Sequence, residues 1–423
     1  MAGLRLTAAE AIVRFLAVQM TEHDGGTVPL FGGVFAIFGH GNVAGLGPAL
    51  HAIRNRLPTF RAHNEQAMAH AAIAYAKTWR RRRMMACTTS IGPGATNMVT
   101  AAAVAHVNRL PVLFLPGDVF ADRRPDPVLQ QVEAFGDPTI SANDCFRPVS
   151  RYWDRITRPE QLLVSLPAAL RVLTDPAECG PVTLALPQDV QTMDYEFPTS
   201  FFKPRIHRLR RVGPDAEQLE AAAAALRDAK RPLIVAGGGI KYALAERRLA
   251  AFAEARGIPV AETQAGKGCL GWDHPMNVGA IGVTGSSAAN ALAAEADCVL
   301  AIGTRLADFT TGSRAVFQNP RASLVQLNAA SFDAAKHGAL PLVADARSGL
   351  DDLDNALGDW RAPLPWTSRA KALIAKWNDV VDRVTKPRRN LPTDAQVLGA
   401  VNRAAEGPNI MVCAAGGLPG ELH

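Results

Sequence analysis

A strand-to-helix turn that carries an acidic side chain constrains this sequence more than any other feature. Residues 59–61 favour an extended conformation, and a helix is predicted to open directly on Glu65 and to run to Lys77. Small and apolar residues form one wide face of it: Ala67, Met68, Ala71, Ala72, Tyr75 and Ala76. Ligand crevices of open α/β sheets form at the carboxyl ends of strands, where Glu65 falls. The same carboxylate could instead only stabilise the helix dipole.

A second strand, turn and helix follow between Met84 and Asp118. The sequence predicts a strand at Met84–Thr88, a Gly-Pro-Gly turn, an alanine-rich helix at Ala95–His106 and a strand at Val112–Leu115. Because helix N-termini offer free N–H groups to anions, the turn could hold a phosphate. It could equally be a tight connection without a ligand, since a Gly-Pro-Gly sequence alone is a weak signal.

An earlier strand ends in a polar loop of the same kind. After a helix at Ala8–Met20, the sequence predicts a strand at Val34–Phe38 and a helix at Leu46–Arg56. The loop Gly39-His40-Gly41-Asn42 lies between them, at the carboxyl end of the strand. Taken alone, its histidine would more often be bonded within the loop than catalytic.

Length and charge limit the classes of protein to consider. A chain of 423 residues with 48% hydrophobic side chains is long enough for two cores. The net charge of +6 includes basic runs at 80–83 and 205–211, but neither is interleaved with aromatic residues that could stack on bases. Six scattered cysteines without a Cys-x-x-Cys pair fit buried thiols, and no apolar run has the length of a membrane span. We therefore expect a cytoplasmic protein that binds neither nucleic acid nor membrane.

The alternation of strands and helices predicts the α/β class, with two doubly wound parallel-sheet domains and the start of a third. We expect a first domain over 1–190, a linker at 191–213, a middle domain at 214–362, and linker helices with the first strand of a third domain at 363–423. The elements predicted beyond the linker are helices at Ala216–Ala229, Leu244–Arg256, Ser368–Val384 and Thr393–Ala405, and strands at Pro232–Ala236, Ile258–Glu262, Cys298–Ile302, Ser323–Leu327 and Asn409–Ala414. Glycines 237–239 follow a strand without Rossmann spacing, so we expect a structural middle domain.

Several motifs together resemble thiamine-diphosphate enzymes of the acetolactate-synthase type. They are FGHGNVAGLG, HNEQAMAHAAIAYAK, CTTSIGPGATNMVTAA, AETQAGKG, GTRLADFTTGS and AAGGLPGELH, and they extend over essentially the whole chain. Glu65 and the run Gly92–Asn97 match the family pattern residue for residue. The resemblance implies a pyrimidine-binding first domain and a Rossmann-like middle domain, which binds a flavin in some members and nothing in others.

The resemblance also implies a set of site residues. The acid would hydrogen-bond the aminopyrimidine ring of thiamine diphosphate, the glycine-rich turn would lie beside it, and the first loop would face the substrate. The residues so assigned are Glu65 as the acid, Gly92, Pro93, Asn97 and Gln131 (or its neighbour Gln130) as cofactor contacts, His40 for proton transfer, Gly41 and Asn42 as substrate contacts, and Lys267 and His274 at the rim.

Within the family, the motifs are most similar to hydrolytic members that open a cyclic polyhydroxy 1,2-dione in myo-inositol breakdown and release an open-chain deoxy-uronic acid. Acetolactate synthases carry a Tyr-Pro-Gly-Gly type of loop where this chain has Gly39-His40-Gly41-Asn42. This difference argues against the alternative of a carboligase or decarboxylase with the same cofactor. A non-catalytic remnant is the second alternative.

The family's third domain supplies the diphosphate and Mg²⁺ ligands, as a Gly-Asp-Gly sequence followed by an Asn pair. This sequence has no such pattern. We therefore expect an incomplete chain that lacks on the order of 150 to 200 residues, carries no metal ligands of its own and is inactive alone. The resemblance further implies a homo-oligomer, either a dimer or a tetramer, with its active site at a subunit interface.

Overall fold

The alternating strands and helices build one parallel sheet in each of two units of the chain, residues 1–210 and 211–423. A computed structural model describes residues 3–388, 391–414, 416–417 and 420. The predicted α/β class with doubly wound parallel sheets is confirmed. Part of the last quoted motif, AAGGLPGELH, lies outside the described residues.

The first unit contains both long buried strands and short edge strands. Its strands are β1 (Gly3–Thr7), β2 (Gln19–His23), β3 (Gly26–Pro29), β4 (Phe31–Ala36), β5 (Thr59–Arg61), β6 (Met84–Thr89), β7 (Leu113–Asp118), β8 (Tyr152–Arg155), β9 (Val182–Pro187), β10 (Asp194–Pro198) and β11 (Arg205–His207). Its helices are α1 (Ala8–Ala17), α2 (Leu46–Ala52), α3 (Glu65–Thr78), α4 (Pro93–Thr96), α5 (Val99–Asn108), α6 (Leu162–Leu173) and α7 (Gln188–Thr192), with 3₁₀ turns at Ala142–Val149, Pro159–Gln161 and Thr199–Phe202.

The main sheet of this unit has the strand order β5-β4-β6-β7-β9-β8, and the pairings recorded for it are parallel. The chain moves from β4 outward to β5 and then returns to the other side of β4 to form β6. Such a reversal is a topological switch point, where open α/β sheets leave a crevice at the carboxyl ends of the strands. The switch point therefore lies beside the loop that follows β4 and the turn that follows β6.

Strands β6, β7 and β9 are buried along their whole length, as their apolar composition requires for a sheet covered on both faces. Helix α1 contributes Ile12, Phe15 and Leu16 to the core on one face. Helix α3 buries Met68, Ala72 and Ala76 of the predicted apolar face. Ala67 and Ala71 of that face are exposed, because the buried stripe runs instead through Ala69 and Ile73.

Two stretches of the first unit differ from the sequence prediction. The helix predicted to reach Met20 ends at Ala17, and Met20 lies in β2, which pairs with β3 and β11. The segment predicted as a linker, 191–213, contains β10 paired with β1 and β11 paired with β2. Its aromatic residues are core residues, since Phe197 is buried and Phe201 stacks on Phe15 with ring centroids 4.6 Å apart. Partners far away in sequence create these strands, so local periodicity did not reveal them.

The second unit repeats the βα alternation. Its strands are β12 (Pro232–Ala236), β13 (Val260–Glu262), β14 (Asn277–Ala280), β15 (Cys298–Ile302), β16 (Ser323–Asn328) and β17 (Leu340–Val343). Its helices are α8 (Ala216–Asp228), α9 (Gly238–Tyr242), α10 (Glu246–Arg256), α11 (Ser287–Glu295), α12 (Asp308–Thr311), α13 (Ser331–Ala334), α14 (Ala346–Leu357), α15 (Leu364–Thr385) and α16 (Asp394–Ala404), with a 3₁₀ turn at Lys336–Gly338.

The sheet of the second unit has the order β14-β13-β12-β15-β16-β17, which is the 3-2-1-4-5-6 order of the doubly wound Rossmann fold. Its switch point lies between β12 and β15. There Gly239 N donates to Gly303 O at 2.9 Å, and a Cβ on Gly237 would overlap the same carbonyl oxygen. The glycines after β12 thus allow two loops to touch through their backbones.

The strand predicted at Asn409–Ala414 is wrong. These residues are described but form no regular element, and Ile410 and Val412 are largely exposed, at 94% and 89%. A strand exists only when a neighbour completes its backbone hydrogen bonds, and the described part of the chain provides none here. Among the described residues, no helix combines the length and the apolar character that crossing a bilayer would need.

The turn that presents Glu65 generates a stability prediction. Asn64 is the N-cap of α3, and its side-chain oxygen accepts a hydrogen bond from Ala67 N at 2.8 Å. We expect Asn64→Ala to lower the free energy of unfolding by about 1 kcal/mol. Asn64→Asp, which keeps the acceptor, should stay close to the wild type. Urea unfolding followed by circular dichroism checks this, and equal stability of Asn64→Ala and wild type would contradict it.

Candidate active site

Three turns meet at the switch point of the first unit. Because β4 pairs in parallel with both β5 and β6, the loops after these strands leave the sheet at the same edge. Ala36, near the end of β4, is level with Arg61 of β5 and Thr88 of β6. The loop 39–42, Glu65 and the turn around Gly92 are therefore brought together.

Glu65 and Asn97 are joined by a hydrogen bond. Asn97 Nδ2 donates to Glu65 Oε2 at 2.7 Å, and both side chains are half-buried. Helix α3 places the carboxylate in its first turn, and the end of α4 places the amide opposite it. This contact fixes the direction of the carboxylate, because one of its oxygens has a defined donor. The sequence prediction placed both residues near one ligand without indicating that they bond to each other.

Glycines shape the turn after β6. Gly92 has a φ of +60°, and a Cβ on it would overlap the carbonyl oxygen of Gln130, so the loop after β7 passes directly over this turn. A Cβ on Gly94 would lie 2.9 Å from Thr89 Oγ1 and 3.4 Å from Glu65 Oε1. The missing side chain lets Thr89 and Glu65 approach the backbone of this turn, and we call the surface that these three residues form the Gly94 notch.

Thr89 forms the buried wall of the Gly94 notch. Its side chain is fully buried, and its hydroxyl oxygen finds no hydrogen-bond partner within the described part of the protein. A buried hydroxyl without a partner costs about 1–3 kcal/mol, so an incoming polar group would be favoured here. Sequence reasoning missed Thr89, because only its tertiary position distinguishes it from other buried strand threonines.

The Gly-Pro-Gly run does not begin a long helix. It opens α4, which has four residues from Pro93 to Thr96, and α5 begins separately at Val99. A helix of one turn sums few peptide dipoles. This geometry therefore does not support the alternative of a phosphate bound at this helix N-terminus. It does bring the backbone of the turn close to Glu65.

Asn42 holds the loop after β4. Its Oδ1 accepts from Gly39 N at 2.9 Å, and its Nδ2 donates to Ile37 O at 3.1 Å and to Thr88 Oγ1 at 3.2 Å. The side chain is 1% exposed. Its amide is fully engaged inside the protein, so this geometry suits a role in shaping the loop better than the predicted contact with substrate.

His40 has an imidazole nitrogen that is not satisfied. The side chain is half-buried, and its Nε2 is inaccessible to solvent with no hydrogen-bond partner among the residues that the structure describes. The next residue, Gly41, donates its N–H to Ser90 Oγ at 3.2 Å. The loop thus holds a histidine at the switch point with one buried ring nitrogen that the described residues leave unpaired.

The long loop after β7 is fixed to the sheet by Arg155. Its guanidinium donates to Asp118 Oδ2 at 2.9 Å, to Asp144 Oδ2 at 2.6 Å and to the Thr139 carbonyl at 3.0 Å. Burial alone would raise the pKa of Asp144, but hydrogen bonds from the Ser141 backbone and from two arginines outweigh it and hold the pKa below its ordinary value. The carboxylate therefore stays ionised, and residues 139–144 of the loop are tied to the end of β7.

The structure places the two candidate glutamines of this loop differently. Gln131 bonds within the loop, because its Oε1 accepts from Val128 N at 2.9 Å and its Nε2 donates to Asp126 at 3.3 Å. Gln130 is exposed, and its carbonyl oxygen is the group that lies against Gly92. The backbone of Gln130 is thus the part of this pair that meets the glycine-rich turn.

The rim candidates lie in the second unit. Lys267 is exposed and its carbonyl accepts a hydrogen bond from Lys241 Nζ, whereas His274 is half-buried with its Nδ1 accepting from Met276 N at 3.2 Å. Both residues line a cavity of about 1220 Å³. They are not part of the cluster around Glu65 within the first unit.

The described residues contain no group of three or more His, Cys, Asp or Glu side chains able to hold a metal ion.

Two family models match the chain. The model described as the N-terminal TPP binding domain of thiamine pyrophosphate enzymes matches residues 33–136, and the model described as their central domain matches residues 219–353. The first match contains His40, Glu65, Gly92 and Asn97. The second covers the parallel sheet of the second unit.

Curated relatives match the whole chain. Proteins named 3D-(3,5/4)-trihydroxycyclohexane-1,2-dione hydrolase from Clostridium tetani and from Geobacillus thermodenitrificans are 44% and 45% identical to it, and the matches cover 70% and 69% of their lengths. A protein of the same name from Bacillus cereus strain AH820 is 44% identical over 70% of its length. The chain therefore belongs to the thiamine pyrophosphate enzyme family, in the group whose relatives carry this hydrolase name.

Proposed function

We propose that this protein is a thiamine-diphosphate-dependent hydrolase that opens the ring of 3D-(3,5/4)-trihydroxycyclohexane-1,2-dione to give 5-deoxy-glucuronic acid. In this reaction one water is added across the bond between the two carbonyl carbons, which leaves an aldehyde at one end and a carboxylate at the other. The observation that carries the proposal is the Glu65–Asn97 pair beside the Gly94 notch, with the free Nε2 of His40 on the neighbouring loop.

The residues present fit the pyrimidine part of the cofactor. Glu65 Oε1 lies 3.4 Å from the place of a Cβ on Gly94, so a polar atom on the edge of a ring that packs against this turn would find an acceptor there. Gly92 and Pro93 would line the turn beside it, and the Gln130–Gln131 segment would cover it. When bound, thiamine diphosphate supplies an electron sink for breaking a C–C bond next to a carbonyl.

Glu65 would hold a proton at a ring nitrogen of the cofactor. Asn97 occupies Oε2, so Oε1 is the oxygen that faces the Gly94 notch. The amide of Asn97 is a positioning group, because it fixes the rotation of the carboxylate without reaching the ring itself. A carboxylate held in this way keeps its acceptor aligned through repeated proton transfers.

His40 would bind the substrate and move a proton at one of its oxygens. An imidazole exchanges protons near neutral pH, and its Nε2 has no competing partner in the described structure. Gly41 and Asn42 shape this loop, and the polyol substrate offers hydroxyl groups to it. Lys267 stays a candidate for the rim of the site on the family resemblance alone.

We further propose a homo-oligomer, dimer or tetramer, with this site at a subunit interface, and Mg²⁺ as the partner of the diphosphate. Both expectations follow from the family rather than from a contact in the described chain. A cytoplasmic location agrees with the cysteines. Cys179 and Cys298 are buried free thiols, and burial raises the pKa of Cys179 to about 11, so it is an unreactive thiol.

The first test removes the acid. In a completed chain that includes the diphosphate-binding domain, we expect Glu65→Gln to lower turnover by at least ~10²-fold, because the amide keeps the shape but cannot accept a proton. Glu217→Gln is the matched control, since Glu217 is an exposed acid in the first turn of α8 and the change has the same charge. Steady-state kinetics at saturating cofactor gives the result. Near-normal turnover of Glu65→Gln would refute its assignment.

The second test fills the Gly94 notch. Gly94→Ala places a methyl group 3.4 Å from Glu65 Oε1 and 2.9 Å from Thr89 Oγ1, so the threonine side chain must shift. We expect the dissociation constant for thiamine diphosphate to rise at least ~10-fold, equivalent to ~1.4 kcal/mol. Gly136→Ala, which meets nothing within 4 Å, is the control. Unchanged affinity by calorimetric titration would exclude this notch as part of the cofactor site.

The third test concerns the substrate. We expect the completed enzyme to hydrolyse the cyclic dione and not to condense pyruvate, because a keto acid offers no hydroxyl group to His40 Nε2. A buried polar group left unpaired costs ~1–3 kcal/mol. Both substrates are offered under the same conditions, and ring-opened acid is assayed beside acetolactate. Faster formation of acetolactate would replace the proposed reaction with the carboligase alternative while leaving the cofactor assignment intact.

A further inference from the structure

We propose that Gln191 is a positioning residue for the reaction: it fixes the loop that carries His40 by binding the carbonyl of Gly41. The inference rests on the role proposed above for His40. It concerns a residue at the end of α7 that lies in a stretch without sequence periodicity.

Three hydrogen bonds hold the amide of Gln191. Its Nε2 donates to Gly41 O at 2.7 Å and to Leu186 O at 2.9 Å, and its Oε1 accepts from Leu46 N at 3.3 Å. The side chain is 2% exposed. A primary amide offers two N–H groups, so both have a carbonyl partner. Leu186 belongs to β9, a buried strand, which connects the loop to a rigid element.

The loop has little room to move away from this contact. A Cβ on Gly45 would overlap the side chain of Gln191, and a Cβ on Gly117 would lie 2.5 Å from Gly41 O. A Cβ on Gly41 would lie 2.6 Å from Ile91 Cγ2. The backbone around Gly41 is therefore packed on several sides at contact distance, and only glycine fits at these positions.

The position of His40 depends on these contacts because a glycine flanks it on each side. Glycine allows a wide range of backbone conformations, so restraint must come from elsewhere. Asn42 accepts from Gly39 N, Ser90 accepts from Gly41 N at 3.2 Å, and Gln191 donates to Gly41 O. Of these three bonds, only the one from Gln191 binds a backbone carbonyl of the two glycines. Gln191 is 150 residues from Gly41 in the sequence.

A side chain of similar size without the amide would not replace it. Methionine would leave the carbonyls of Gly41 and Leu186 and the N–H of Leu46 buried without partners. Glutamate could still accept from Leu46 N, but its other oxygen would face two carbonyl oxygens and repel them. Gln191→Glu therefore removes the two N–H donors to Gly41 O and Leu186 O while keeping the acceptor for Leu46 N.

The test combines these variants with a control on the same short helix. Gln191→Met and Gln191→Glu are compared with Gln188→Met, because Gln188 Nε2 has no hydrogen-bond partner in the part of the chain that the structure describes. Histidine carbon-13 ring signals are recorded for the 10 histidines, with His40 assigned through His40→Gln. Turnover is measured on the cofactor-loaded protein, and the dissociation constant of thiamine diphosphate on the same preparations after the cofactor has been removed.

We expect both Gln191 variants to shift the ring signals of His40 while most other histidines keep theirs. Turnover should fall ~10- to 100-fold with KM changed less than kcat, because the proton-transfer group is misplaced. The dissociation constant of thiamine diphosphate should stay within about twofold of the wild type. Gln188→Met should behave as the wild type in all measurements.

Three results would overturn the proposal. The first is an unchanged His40 signal in Gln191→Met, and the second is a uniform change of all histidine signals with a large drop in melting temperature. The third is failure of both variants to fold, which would make Gln191 a residue of the scaffold alone. If the wild type does not hydrolyse the cyclic dione but the His40 signal still moves selectively, the proposed reaction fails and the positioning role stands.

Discussion

The parallel pairing of β4 with β5 on one side and β6 on the other is the constraint on which the candidate site depends. Parallel strands all leave the sheet at the same edge, and the reversal of chain direction around β4 keeps the connecting helices from covering that edge. The loop of His40, the first turn of α3 with Glu65 and the turn at Gly92 are neighbours for this reason. A slip of one residue in this register would turn each side chain to the opposite face of the sheet.

Close packing of backbone against backbone then decides how these turns are held. Glycines at the turns let neighbouring segments of the backbone approach each other, but they also leave the backbone conformationally free. Side-chain amides and a hydroxyl supply the missing restraint, since Asn42, Ser90 and Gln191 each bind a backbone group of the 39–41 segment. The consequence is a rigid loop with one unsatisfied ring nitrogen, at His40. Rigidity and an unsatisfied polar atom together are the features of a group prepared to act on a ligand.

How much of this could be predicted depends on the range of the interaction. Helix α3 begins at Glu65 as predicted, because the N-cap at Asn64 and the small apolar face are local signals. The hydrogen bond between Glu65 and Asn97 joins residues 32 positions apart in the sequence. The motifs predicted that the two residues lie near one ligand, but not that they bond to each other. Gln191 was assigned to a linker and the strand at Asn409–Ala414 was predicted wrongly, since strand formation and side-chain bonding across long separations depend on partners that no local pattern contains.

The switch points of the two sheets differ in how their polar groups are satisfied. This difference indicates why the unsatisfied polar groups lie in the first unit. In the second unit the glycines after β12 and Gly303 after β15 meet through backbone hydrogen bonds, so the polar groups at that point satisfy each other. In the first unit side chains bind Gly39 N and both backbone groups of Gly41, and among the described residues the hydroxyl of Thr89 and Nε2 of His40 are left without partners. Buried polar groups without partners are costly, and proteins retain them where a ligand completes them. The two parallel sheets thus differ at their switch points. In the second unit the backbone groups of two loops bind each other, whereas the first unit has fixed, unsatisfied polar groups near a carboxylate whose orientation is set.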